Sequence, residues 1–112
     1  QAKKLSQART YAQKAISFNE NYGEPYILLA QMYGSNPNWS DEPALNRCTY
    51  YVVIDKLQRA KAVDPSVTDK VNELIATYAR HTPQAKDLFM LAYKAGDRIT
   101  IGGWIGESTT IR

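Results

Sequence analysis

Cysteine and histidine are nearly absent from this chain, which holds one of each, Cys48 and His81. A lone thiol excludes an internal disulfide, and one imidazole beside it excludes an all-Cys/His metal cluster. Long apolar runs are missing as well. None approaches the ~20 residues that span a bilayer, so no membrane insertion is expected. There is no initiator methionine and no signal-peptide pattern behind Gln1, which points to a fragment or a processed form. Acids are missing from residues 1–18, where Lys3, Lys4, Arg9 and Lys14 fall, and bases from residues 19–45, where Glu20, Glu24, Asp41 and Glu42 fall. Such asymmetry could orient a partner, but more often it only solvates a helix face.

What remains is the composition of one ordered domain. The chain has 112 residues, 44% apolar and 22% charged, with a net charge of +3. That length suits a single core spanning residues 1–112 and is too short for two. Eight tyrosines are a high number for this length.

Along residues 2–18, Leu5, Ala8, Ala12, Ala15 and Ile16 recur at steps of three and four, the stripe of an amphipathic helix. Asn19 to Gly23 breaks it, and Pro25 suits the first turn of a second helix over about 24–34, closed by Gly34. Ser35 to Pro43, with Trp39, reads as an ordered loop, after which Ser40 or Asp41 caps a third helix over about 41–63. Leu45, Cys48, Val52, Val53, Leu57 and Ala60 form its stripe, making it the expected spine. Ser66 with Asp69 offers a capping box for a fourth helix, about 67–80, and Thr82-Pro83 opens a fifth, about 83–95, with Leu88, Ala92 and Ala95 on its stripe. Beyond Gly96 the period becomes two. Arg98–Ile101 and Glu107–Ile111, around a glycine-rich turn, predict a β-hairpin over about 98–111 anchored by Ile99, Ile101, Trp104 and Ile105.

The chain also repeats itself. Tyr26, Leu29, Ala30 and Tyr33 recur 45 residues on as Val71, Leu74, Ile75 and Tyr78, and Ala8, Ala12 and Ala15 recur as Val53, Leu57 and Ala60. This spacing resembles the tetratricopeptide repeat, in which an aromatic, a leucine, a small residue and a tyrosine precede an alanine and a closing proline. That repeat is about 34 residues long, which leaves about 11 extra residues here, located around the Trp39 loop. Glu20 stands where proline is usual, and Ile75 where a small residue is usual.

The resemblance covers about residues 5–95 and implies an all-α, tetratricopeptide-like helical-hairpin solenoid of about five helices; the small C-terminal β-hairpin lies outside it and is expected as a cap on the last helix pair. It also implies a non-enzymatic interaction or scaffold module that holds a protein or peptide in a concave groove. Carried over by position, the groove residues are Glu24, Ile27, Gln31 and Ser35 in the first copy and Asp69, Asn72, Ala76 and Arg80 in the second. Residues 2–18 match the second helix of a repeat. The chain is therefore expected to be the C-terminal part of a longer, bacterial-type array, its first helix either fraying before about Ala8 or self-associating.

Other readings are weaker. Cys48 sits on an apolar stripe and reads as a buried structural thiol, and His81 at a helix end suits capping. Asp41 and Glu42 lie where acids favour a helix start rather than acid/base catalysis. Gly102-Gly103-Trp104-Ile105-Gly106 precedes a strand, whereas phosphate loops open onto a helix. Basic residues near Tyr11, Tyr22 and Tyr26 raise nucleic acid as a partner, but the modest charge argues for a solvated face. No enzyme activity, cofactor, metal or nucleic-acid partner is expected. A secondary aromatic patch of Trp39, Tyr50 and Tyr51 could take a sugar or peptide, although Tyr50 and Tyr51 are adjacent on a helix and cannot both face inward. The bland alternatives are an end-cap that binds nothing and an aromatic loop that only pins the insertion.

Overall fold

The computed structural model describes residues 2–112; Gln1 lies outside the described residues, as do the side chains of Ala2 and Lys3. The chain is mostly helical, with a small antiparallel sheet. The helices are α1 (Ala2–Phe18), α2 (Glu24–Ser35), α3 (Pro43–Arg47), α4 (Thr49–Val63), α5 (Thr68–Ala79) and α6 (Ala85–Met90), followed by β1 (Arg98–Thr100) and β2 (Ser108–Thr110).

The spine is α3 and α4, read in the sequence as one helix and broken in the structure only at Cys48. The Cys48 amide bonds the Leu45 carbonyl and the Tyr51 amide bonds the Cys48 carbonyl, three-residue steps that tighten one turn. At the same place the Thr49 hydroxyl donates to the Pro37 carbonyl at 2.9 Å and ties the preceding loop down. Tyr51, Val52, Val53, Leu57 and Ala60 of α4 are buried together with Leu29, Ala30 and Tyr33 of α2.

α4 packs against α2 on one side and α5 on the other, and α1 covers α2. α2 and α5 meet at two points. Lys70 Nζ lies 3.1 Å from Glu24 Oε1, and the Tyr78 ring lies where a Cβ on Gly34 would sit only 2.6 Å from its Cε1. Each contact links residues 44 to 46 positions apart, bracketing the 45-residue spacing of the sequence. Gly23 is held as tightly, since a Cβ there would come within 2.9 Å of Asp64 and Val67. Its amide donates to Asp64 Oδ2 at 2.9 Å, which fastens the α1–α2 turn to the α4–α5 turn. Hydrogen bonds from Ser66 and from the Gly23 amide hold the Asp64 carboxyl below its ordinary range.

Four expectations are corrected. The start of the fourth helix is a 3-10 turn, Pro65–Val67, whose first amide is accepted by Asp64 rather than by a Ser66–Asp69 box. The cap expected of Ser40 or Asp41 falls short of the helix: the Ser40 hydroxyl accepts the Glu42 amide at 3.1 Å, but Glu42 is itself the N-cap and lends the helix no side-chain bond. The fifth helix ends at Met90 instead of about 95 because Ala92 takes φ +68. The Tyr93 amide then bonds Leu88 and the Ala92 amide bonds Phe89, a Schellman ending with alanine where glycine is usual. Ala92 and Ala95 are consequently exposed.

The fourth correction concerns the hairpin, which does not cover the last helix pair. Paired as Arg98 with Thr110, Ile99 with Thr109 and Thr100 with Ser108, it folds back onto α4, against which β2 packs. Ile99, Ile101, Ile105 and Ile111 are buried in the common core, and Trp104 is half-buried edge-on to Tyr33 with ring centres 5.3 Å apart. A two-stranded ribbon is marginal alone, so these apolar anchors and the polar ties below are what keep it folded.

Candidate functional site

α2 is packed by α1 and α4 at once, and this leaves it a narrow exposed strip: Leu28, Gln31 and Ser35 are exposed and Glu24 is half-buried. Steps of three and four put these on one helix face. Ile27, three residues after Glu24 and four before Gln31, borders that face on its inner side and is 1% exposed, so the expected groove contact is instead the floor. Between α1 and α2 runs a cleft of about 410 Å³ lined by Tyr11, Ala12, Ala15, Tyr22, Leu28 and Ile27, with Glu24 and Gln31 also at its walls. Tyr11 is 72% exposed and Leu28 47%. The small side chains of Ala12 and Ala15 create the depth. Tyr11 and Phe18, seven residues apart, continue one apolar line down α1.

The second-copy candidates sit elsewhere. α5 packs mainly on α4, so Asp69, Asn72, Ala76 and Arg80 are all exposed on a broad outer arc. Asn72 accepts a hydrogen bond from Lys61 Nζ at 2.9 Å. None of the four lines the α1–α2 cleft. The structure thus brings Glu24, Ile27 and Gln31 together and leaves Asn72 and Arg80 apart from them. Tyr11, Tyr22 and Leu28 complete the cleft; the signal for Leu28 was its place four residues after Glu24 and three before Gln31.

The aromatic patch is not assembled. Trp39 Nε1 donates to the Leu45 carbonyl at 3.1 Å, and its ring lies against Gly102, where a Cβ would be 3.0 Å away. Asn46 organises the rest of the loop, its Oδ1 accepting the Trp39 and Ser40 amides at 2.9 and 2.8 Å and its Nδ2 donating to the Ser40 carbonyl. Trp39 therefore pins the insertion. Tyr50 is half-buried and stacks on Tyr78, 6.0 Å between centres, with His81 on its other contact at 5.2 Å. Tyr51 is buried, with the Arg112 guanidinium 5.0 Å from its ring centre. Among the described residues no ring pair joins these three.

The buried polar chemistry is structural in its geometry. The Tyr33 phenol donates to Glu107 Oε2 at 2.6 Å and accepts from Arg9 Nε at 2.8 Å, while Lys56 Nζ approaches Glu107 Oε1 at 2.7 Å. Burial first, and the adjacent Glu107 carboxylate second, raise the Tyr33 phenol well above its ordinary 10.0. Arg9, one of the N-terminal bases, is thereby drawn off the solvated face. Asp55 accepts from the Thr109 hydroxyl at 2.7 Å and pairs with Arg112, fixing β2 to α4. Burial pushes the Cys48 thiol up to about 11, which keeps it protonated and a poor nucleophile near neutral pH. Among the described residues no three His, Cys, Asp or Glu side chains gather to hold a metal ion, and no helix is long and apolar enough to cross a membrane.

Comparison with family models, with curated proteins and with solved structures returned no match to the chain.

Proposed function

We propose that the chain is a non-enzymatic protein-interaction module, built from tetratricopeptide-like helical hairpins, that holds a segment of a protein partner in the α1–α2 cleft. The observation that carries this reading is the cleft itself: exposed Tyr11, Tyr22 and Leu28 over a floor of Ile27 and Ala12, with Glu24 and Gln31 at the side. Exposed aromatic and aliphatic anchors grouped in a hollow, with polar groups beside them, are what a docking segment requires. The repeat reading is supported by the contacts of Glu24 with Lys70 and Gly34 with Tyr78, which lay α2 beside α5 at nearly the 45-residue offset. Asn72 and Arg80 lie on the outer arc of α5 and line no part of the cleft, so they belong to this proposal only as contacts for a partner that extends past it.

The test is a peptide selected by display against the chain, its affinity measured by titration calorimetry on single variants. Leu28→Ala and Gln31→Ala should weaken it together by at least tenfold, equivalent to about 1.4 kcal/mol. Full retention by both, with loss on Trp39→Ala, would move the site to the insertion loop and overturn the reading.

A further inference from the structure

The turn from α1 to α2 and the turn from α4 to α5 share their hydrogen bonds at the 45-residue offset of the sequence. The Asn19 amide bonds the Ala15 carbonyl and the Tyr22 amide bonds the Asn19 carbonyl; in the second turn the Asp64 amide bonds the Ala60 carbonyl and the Val67 amide bonds the Asp64 carbonyl. Within each turn one side chain accepts the amide two residues on, Asn19 Oδ1 from Asn21 and Asp64 Oδ1 from Ser66, both at 3.1 Å. Helices that leave matching turns present matching surfaces beside them.

In the second copy that surface is occupied by the start of α2. Gly23 donates its amide to Asp64 Oδ2 and fits so closely that a Cβ would come within 2.9 Å of Val67 and 3.1 Å of the Ala60 carbonyl. Ala60 is fully buried there and Val67 is 7% exposed. Their counterparts in the first copy are open. Ala15 is half-buried and Tyr22 is 48% exposed, and both line the α1–α2 cleft.

We infer that the α1–α2 cleft takes an α-helix of a protein partner, laid on α1 and α2 as α2 is laid on α4 and α5. This rests on the cleft being a protein-docking site and names the form of the segment that docks. The contact continues, one copy earlier, the interface that α2 already makes within the chain. Its direction follows from the filled copy. α2 meets α5 start to start at Glu24 and Lys70 and end to end at Gly34 and Tyr78, so the two run parallel. The partner helix therefore begins at the Asn19–Tyr22 turn and runs back along α1 toward Leu5. It differs from α2 in two respects. Ala8 and Ala12 stand where the filled copy has the buried Val53 and Leu57, so the partner brings larger apolar side chains to fill the space. Asn19 stands where Asp64 accepts the Gly23 amide; its Oδ1 is engaged by Asn21 and its Nδ2 donates, so the residue leading into the partner helix offers a carbonyl.

The test uses a peptide selected by display from random sequences against the full chain, carrying a nitroxide at one end or the other, with the chain labelled for amide resonances. Bound, the peptide should show helical carbon shifts. A nitroxide at its N-terminus should broaden Asn19 and Tyr22, and one at its C-terminus Leu5 and Ala8. Tyr22→Ala, at an exposed position, and Ala15→Leu, which fills the floor, should each weaken binding about tenfold, with native helicity of the chain checked by circular dichroism. A peptide bound in the cleft in extended form, or as a helix with the two broadening patterns exchanged, overturns the inference and leaves the cleft as the docking site. A chain that dimerises without peptide and closes its cleft against a second copy overturns it too. Binding that survives Tyr22→Ala, Ala15→Leu and Leu28→Ala alike disproves the cleft itself as a docking site.

Discussion

The phenol of Tyr33 on α2 donates a 2.6 Å hydrogen bond to Glu107, a residue 74 positions away on the approach to β2. The same oxygen accepts from Arg9 on α1, so one buried hydroxyl ties three parts of the chain together. Tyr33→Phe leaves the ring and its edge contact with Trp104 but removes the hydroxyl. A hydrogen bond to a charged group contributes about 1.5–3 kcal/mol, and a loss of that order in urea unfolding, with an unchanged slope, is the expected outcome.

The same phenol makes stability fall in alkali. Its folded-state value is raised above the ordinary 10.0, so the folded chain keeps a proton that the unfolded chain releases. This stabilisation is complete below about pH 10 and is lost progressively above it, as the unfolded state ionises first. Parent and Tyr33→Phe should therefore keep a constant difference in stability up to about pH 10 and draw together progressively above it, where Tyr51 and Tyr78, also raised by burial, and Cys48 contribute in both. Parallel pH profiles for the two would contradict this role.

Gly34→Ala should destabilise by about 1–3 kcal/mol, the usual range for overpacking, because the new methyl would lie 2.6 Å from the Tyr78 ring. Tyr78→Ala clears that space, so a double-mutant cycle should show the glycine substitution nearly neutral in its background. An unchanged penalty there would mean that α2 and α5 do not meet at this point.

Ala92→Gly should raise stability by up to about 1 kcal/mol, since alanine carries the steric strain of φ +68 and glycine does not. Thermal unfolding checks the direction; a lowered melting temperature would contradict the left-handed ending of α6.

These residues also show what the sequence could and could not reveal. The stripes of α1, α2 and α4 were legible because each helix keeps apolar residues at steps of three and four on its buried side, and period alone displays that. The burial of Ile27 was not, because it results from α1 and α4 packing on α2 from two sides, a tertiary fact with no local trace. The early end of α6 was hidden for a local reason: Ala92 is a good helix former, and nothing nearby announces its left-handed backbone. Where the hairpin docks depends on pairs such as Tyr33 with Glu107 and Asp55 with Thr109, whose separation in sequence leaves no periodic signal. Of the cleft, Glu24, Ile27 and Gln31 were found by position; Tyr11, Tyr22 and Leu28 needed the packing of α1 on α2 to be seen as its walls.

The claim that the α1–α2 cleft is where a protein segment docks is tested most directly by backbone chemical-shift mapping of the labelled chain with the display-selected peptide. The account predicts the largest shifts at Tyr11, Ala15, Tyr22, Leu28 and Gln31, with smaller ones reaching Asn72 and Arg80. Shifts confined to the Trp39 loop, or to α6 around Phe89 and Met90, with the cleft unmoved, would contradict it.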